Sequence, residues 1–312
     1  MNVTITPRLL QGTITPPPSK SQAHRVLIAA ALAEGVSMLK NVALSQDIQA
    51  TLRCLEALGA SFRWEGDTLA VTGLAGKPVP QGELPLLDCG ESGSTLRFLI
   101  PIASLTGQAV SFTGRGRLME RPQSVYEVLY REQGLRFEQS AAGLTVEGAL
   151  APGEYRLAGN VSSQFISGLL FALPLLSGNS TLHLIPPVES RSYIDMTRSV
   201  QAAFGVQSHW LDENTLAIPG GQHYHPCDYT VEGDYSQAAF PAVLGAACGG
   251  VTITGLAPDT LQGDAAILDI LRRCGAVFTR TAEGISFEKA PPCTGWTLTL
   301  RTARTLALCS WC

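Results

Sequence analysis

The segment from Pro16 to Arg25, PPPSKSQAHR, sets an ammonium and a guanidinium at the start of an apolar run. Three prolines hold an extended entry, and Ser19 or Ser21 can cap a helix that starts just after Lys20. Arg25 follows Ser21 by one helical turn, so both can face the same cleft. A compact point charge beside a planar fork suits phosphate or carboxylate. Spacing alone leaves a solvated N-terminal turn equally open.

Other clusters carry similar chemistry. In DCGESGSTLRF, Gly90 and Gly93 allow close backbone approach, and Ser92, Ser94 and Thr95 supply hydroxyls at a helix start. GRGRLMERPQS places Arg115, Arg117 and Arg121 around a turn, with Pro122 at a first helical position. GNVSSQF brings Ser162, Ser163 and Gln164 to another helix start, and VESRSYIDMT offers Ser190, Arg191 and Tyr193. Taken singly, each is an ordinary cap or turn. His223, His225 and Cys227 have metal-ligand types at alternating spacing, but a turn after Gly220-Gly221 accounts for them equally, and no metal is assigned.

The elements that must position these groups repeat. Gly59, Gly134, Gly205 and Gly275 close the second helix of successive copies of one pattern, at an interval of about 70 residues. Each copy reads as helix, strand, helix and hairpin. The first helices, including VLIAAALA and FISGLLFALPLL, are apolar nearly all round and should be buried. A buried helix whose N-terminus opens on a cleft offers free N–H groups and its positive dipole end to an anion. The polar clusters fall at equivalent points of the copies. Together they point to a cleft for a ligand with more than one negative group and several hydroxyls.

Composition sets bounds on this reading. The 312 residues are 45% hydrophobic and 15% charged, with a formal net charge of −4. Two packed globular domains are expected, with no general attraction to nucleic acid or anionic membrane. No apolar run is long enough for a bilayer, and the opening residues alternate like a strand. The expectation is a soluble cytoplasmic monomer, its eight cysteines reduced.

PPPSKSQAHR, GESGSTLR, RLMERP, NVSSQF, ESRSYIDMT, VEGDYSQAAF and TLQGD, in this order, resemble the 3-phosphoshikimate 1-carboxyvinyltransferase (5-enolpyruvylshikimate-3-phosphate synthase) family from Met1 to about Lys289. The related sugar-nucleotide enolpyruvyltransferases fit less well, since Ser21 stands where they carry Asn. The resemblance implies an α/β fold, an inside-out barrel of repeated units. It gives a complete domain over 12–232, a second domain from 1–11 plus 233–291, and an aberrant tail over 292–312. It implies enolpyruvyl transfer from phosphoenolpyruvate to the 5-hydroxyl of shikimate 3-phosphate in chorismate and aromatic amino-acid biosynthesis, without metal or organic cofactor. Lys20 would touch both substrates, and Gln164 would lie between them. Ser21 and Arg25 would bind shikimate 3-phosphate; Gly93 and Arg121 would hold phosphoenolpyruvate. Ser162, Ser163 and Ser190 would take the shikimate phosphate, with Tyr193 nearby. Glu91 departs from the Asn that many members carry, and an unpaired carboxylate there would weaken anion binding.

After Lys289 the resemblance stops. The family would continue into an acidic strand and a Pro-Asp turn carrying a proton-transfer Asp, followed by further Glu, Arg and Lys groups. Read one frame over, the codons for Cys293 to Cys312 can specify that strand and turn. The expectation is a one-nucleotide frameshift near residue 292, leaving negligible activity or a fragment that only binds shikimate 3-phosphate. The helix within DYSQAAFPAVLGAA should then expose apolar surface.

Overall fold

The computed structural model describes residues 10–79, 85–281 and 284–289. The proposed tail and the C-terminal edge of the sequence-assigned domain lie outside them. After β1 (Gly12–Ile14), the repeat appears four times among the described residues. The first copy is α1 (Lys20–Leu32), β2 (Val36–Lys40), α2 (Gln46–Ala57), β3 (Ser61–Glu65) and β4 (Thr68–Thr72). The second is β5 (Leu86–Asp88), α3 (Gly93–Ala103), β6 (Val110–Thr113), α4 (Ser124–Glu132), β7 (Arg136–Ser140) and β8 (Gly143–Glu147). The third is β9 (Glu154–Ala158), α5 (Ser163–Ala172), β10 (Ser180–Ile185), α6 (Arg191–Ala203), β11 (His209–Trp210) and β12 (Thr215–Ile218). The last is β13 (Tyr229–Thr230), α7 (Tyr235–Cys248), β14 (Val251–Ile253), α8 (Ala266–Arg273), β15 (Val277–Thr281) and β16 (Gly284–Glu288).

Each copy builds the same mixed sheet. A strand running parallel lies beside the strand after the first helix, and the hairpin completes the other side antiparallel. The orders are β13-β2-β4-β3, β5-β6-β8-β7, β9-β10-β12-β11 and β1-β14-β16-β15. The hairpins form because the second helix ends on a glycine in the left-handed region. Gly59, Gly134, Gly205 and Gly275 have φ of 106°, 69°, 83° and 90°, values that a Cβ would disfavour.

The chain divides into two compact units, 20–231 and 1–19 with 232–312. This division falls between Ser19 and Lys20, whereas the sequence suggested a boundary at Gly12. Its physical cause is pairing: Gly12, Thr13 and Ile14 register with Val251, Thr252 and Ile253. In unit 20–231, α1 is buried from Gln22 to Leu32, and α3 and α5 are buried along most of their length. The strands around them alternate, as in β9 and β10, where every second residue is buried. Their inward faces and the helices form one continuous core.

The unit of 1–19 and 232–312 has its own smaller core, from Tyr235 and the alanines of α7 to Ile267, Leu271, Ile285 and Phe287. Asp234 caps α7, accepting from the N–H groups of Ser236 at 2.8 Å and Gln237 at 3.2 Å. α7 departs from the all-round burial of its counterparts. Phe240 is 57% exposed. No described helix is long and apolar enough to cross a membrane.

Candidate active site

Polar side chains at the starts of α1, α3, α5 and α6 knit these helices together within unit 20–231. Two serines do the local capping. Ser92 accepts from Thr95 N–H at 3.2 Å, and Ser162 from Gln164 N–H at 3.4 Å. Lys20 is the first residue of α1, not the one before it, and its Nζ lies 2.7 Å from Asp47 Oδ2 at the start of α2.

Below Lys20 runs a buried chain of hydroxyls. His24 Nδ1 is 2.8 Å from Thr51 Oγ1, which lies 2.7 Å from Thr95 Oγ1; Thr95 in turn donates to Ser92 Oγ at 2.7 Å. The chain couples α1 and α2 to the cap of α3. Burial pushes the His24 imidazole down to about 3, so it stays neutral. Its Nε2 has no hydrogen-bond partner, and the ring packs edge-on against Phe98.

Arg25 performs a second coupling. Only 2% exposed, it donates from Nε to Thr197 Oγ1 at 2.8 Å and from Nη1 to the Ser21 carbonyl at 2.6 Å. Nη2 reaches Ser167 Oγ at 3.4 Å and the Tyr193 carbonyl at 3.3 Å. Burial lowers it to about 10, which leaves it charged at neutral pH. The guanidinium is thus largely engaged in joining α1, α5 and α6.

The third coupling centres on Gln164. Arg97 Nη1 donates to its Oε1 at 2.7 Å, and its Nε2 donates to Ser94 Oγ at 2.8 Å. A donor-only guanidinium on one side fixes which way the amide points. Arg97 also stacks over Phe165 at 4.7 Å, and burial lowers its pKa. A Cβ on Gly93 would stand 3.2 Å from Arg121 Nη1 and 4.0 Å from Gln164 Oε1. The missing side chain therefore opens a space that Arg121, Gln164 and the N-terminus of α3 all border.

The sequence clusters are only partly assembled in this way. Gly93, Arg121, Ser162, Ser163 and Gln164 group around the starts of α3 and α5, while Ser21, Arg25 and Tyr193 group along α1 and α6. Ser190 precedes α6 with φ 56° and ψ 35°, and its side chain does not cap the helix. Arg115 and Arg117 are exposed and pair with Asp88 and Glu120. Pro122 lies outside α4, which starts at Ser124 after an uncapped Gln123. Glu91 turns toward the neighbouring turn, its Oε1 3.0 Å from where a Cβ on Gly116 would sit. Arg97, Asp47 and His24 escaped sequence reasoning. Arg97 was legible by the spacing that joined Ser21 to Arg25, since it stands one turn after Gly93.

A site with ammonium and guanidinium groups, several hydroxyls and exposed helix N-termini can hold a polyanion and orient it. Among the described residues, no three His, Cys, Asp or Glu groups gather as metal ligands.

Comparison with known proteins places the chain in a family. A family model described as EPSP synthase (3-phosphoshikimate 1-carboxyvinyltransferase) matches residues 5–309, a span that continues past Lys289, where the sequence resemblance stops. A protein named 3-phosphoshikimate 1-carboxyvinyltransferase from Clostridium kluyveri is 44% identical over 275 residues, covering 88% of this chain and 64% of its own length. Its namesake from Clostridium novyi is 42% identical over 283 residues, with 88% and 65% covered. The chain thus spans slightly less than two thirds of these relatives. An EPSP synthase structure from Acinetobacter baumannii superposes with a TM-score of 0.80 at 23% identity, covering 97% of this chain and 70% of that one. That likeness supports the α/β fold. By the family model and these relatives, the chain belongs to the EPSP synthase (3-phosphoshikimate 1-carboxyvinyltransferase) family.

Proposed function

We propose that the site transfers the enolpyruvyl group of phosphoenolpyruvate to the 5-hydroxyl of shikimate 3-phosphate. The observation that carries this reading is the Arg97–Gln164–Ser94 bridge beside Gly93 and Arg121. It fixes a neutral amide, carried at the start of α5, beside the space that Gly93 and Arg121 border. Phosphoenolpyruvate occupies the Gly93–Arg121 side. Ser162, Ser163 and Ser190 take the phosphate of shikimate 3-phosphate, with Tyr193 beside it and Ser21 and Arg25 along the ring. Lys20 reaches both ligands, and Asp47 holds its ammonium in place meanwhile.

Chemically, the 5-hydroxyl loses its proton as its oxygen bonds to the central carbon of phosphoenolpyruvate, and a proton adds to the methylene carbon. The tetrahedral adduct then loses a proton from that methyl group as its C–O bond to phosphate breaks, which restores the double bond and releases inorganic phosphate. Fixed cations favour the step in which charge shifts onto the leaving phosphate. We place the reaction in the cytoplasm with the protein as a monomer, and the shikimate 3-phosphate subsite in the complete three-copy domain bounded by residues 20 and 231.

A second reading, binding without turnover, rests on where the assigned groups stand. All fall between Lys20 and Tyr193, within one unit. Phosphate release by the 312-residue chain, given both substrates, separates the two. Release that needs both ligands and disappears in Gln164→Ala supports transfer. Saturable binding of shikimate 3-phosphate without release supports the second reading, and neither binding nor release would overturn both.

A further inference from the structure

Ser190 adopts a conformation that a side-chain-bearing residue takes only where its surroundings impose it, with φ 56° and ψ 35°. Its hydroxyl does not cap α6, while its carbonyl accepts from the Tyr193 N–H at 3.0 Å. The residue that follows is clamped. The Arg191 guanidinium carbon sits 3.9 Å over the ring of Trp210, and Nη1 donates to the Glu213 carbonyl at 2.7 Å. Arg191 Nε lies 3.8 Å from Asp195 Oδ2. The indole closes the cluster by donating from Nε1 to Asp195 Oδ1 at 2.9 Å, an oxygen that Arg198 Nη1 also meets at 2.9 Å. Arg198 is tied to the Ser208 carbonyl at 2.7 Å. On its other side the same turn is held by Arg25, through the Tyr193 carbonyl and Thr197 Oγ1.

We propose that the Arg191–Trp210 stack is a positioning brace that holds Ser190 in its left-handed conformation and so shapes the phosphate subsite of shikimate 3-phosphate. This rests on the functional reading above. Position in the sequence would suggest that Arg191 is itself a phosphate ligand. The structure assigns it differently, because its planar fork is already committed to an aromatic face, a carbonyl and a carboxylate. A lysine keeps the charge but neither stacks nor forks in this way. Charge and geometry are therefore separable here.

The test uses the full chain and the variants Arg191→Lys, Trp210→Ala, the double variant and Trp210→Phe. One readout is amide hydrogen exchange at Tyr193, Ile194 and Asp195; the other is the dissociation constant for shikimate 3-phosphate. Arg191→Lys and Trp210→Ala should each speed exchange and weaken binding about tenfold, with the double variant no worse than either, because partners in one contact do not add. Trp210→Phe keeps a ring under the guanidinium and should retain most of the affinity. Parent-like binding and exchange in Arg191→Lys would overturn the brace, as would losses that add in the double variant. If no form binds shikimate 3-phosphate, the functional reading fails, and the exchange rates still decide the brace.

Discussion

His24 shows how a single side chain can set a pH limit on the whole unit. Unfolded, it titrates near 6.5; folded, burial takes it to about 3. Between those values the unfolded chain binds a proton that the folded chain refuses. Its contribution is thus fully present above pH 6.5 and is lost as pH falls toward 3, by about 1.4 kcal/mol per unit. His24→Asn should remove that slope. Urea unfolding of unit 20–231 between pH 7 and pH 5 should lose about 2 kcal/mol less in the variant than in the parent; equal losses would mean that His24 is protonated in the folded protein. The residues that touch His24 were not legible in the sequence. Thr51 and Thr95 come from different helices, and nothing in a local pattern announces that their hydroxyls meet. Lys20, Gly93 and Gln164 were legible because each sits at a helix start marked by serine, glycine or proline. Arg25 was recognised as a cation, but its burial depends on α5 and α6, more than a hundred residues away in sequence.

At the scale of elements, the repeat was readable because glycine punctuation and hairpin alternation recur in every copy. The parallel strand in each sheet was harder to see. β5 and β13 are short, and β13 joins the sheet of the first copy rather than the last. Packing between α3 and α5 shows how little slack the buried helices have. A Cβ on Gly168 would stand 2.3 Å from Tyr126 Oη and 2.5 Å from the Arg97 carbonyl. Those atoms cannot separate freely, since the single Tyr126 O–H is shared between the Arg97 carbonyl at 2.7 Å and the Phe165 carbonyl at 2.9 Å. Gly168→Ala should destabilise the unit by about 1–3 kcal/mol through overpacking. It should also shift Arg97, and with it the amide of Gln164. Chemical denaturation measures the first effect, and an unchanged midpoint would show that α3 and α5 sit farther apart than described.

For the whole molecule, two cores of different size imply two stabilities. Unit 20–231 is one continuous stretch of chain around a core drawn from three copies. The unit of 1–19 and 232–312 is assembled from separated segments, with a smaller described core and an exposed Phe240. Urea should therefore unfold the second unit first. Asp234→Ala, which removes the cap of α7, should lower only that early transition, by about 1 kcal/mol; a single transition that moves as one would show that the units fold cooperatively. A boundary at Lys20 was not legible in the sequence, because the pairing of β1 with β14 joins residues far apart in sequence. If the starts of α1, α5 and α6 form a shikimate 3-phosphate subsite, calorimetric titration of the 312-residue chain should show it. Saturable one-site binding is expected, weakened about tenfold by Ser163→Ala through loss of a charge-assisted hydrogen bond. No saturation at millimolar ligand, or affinity indifferent to Ser163→Ala, would contradict it.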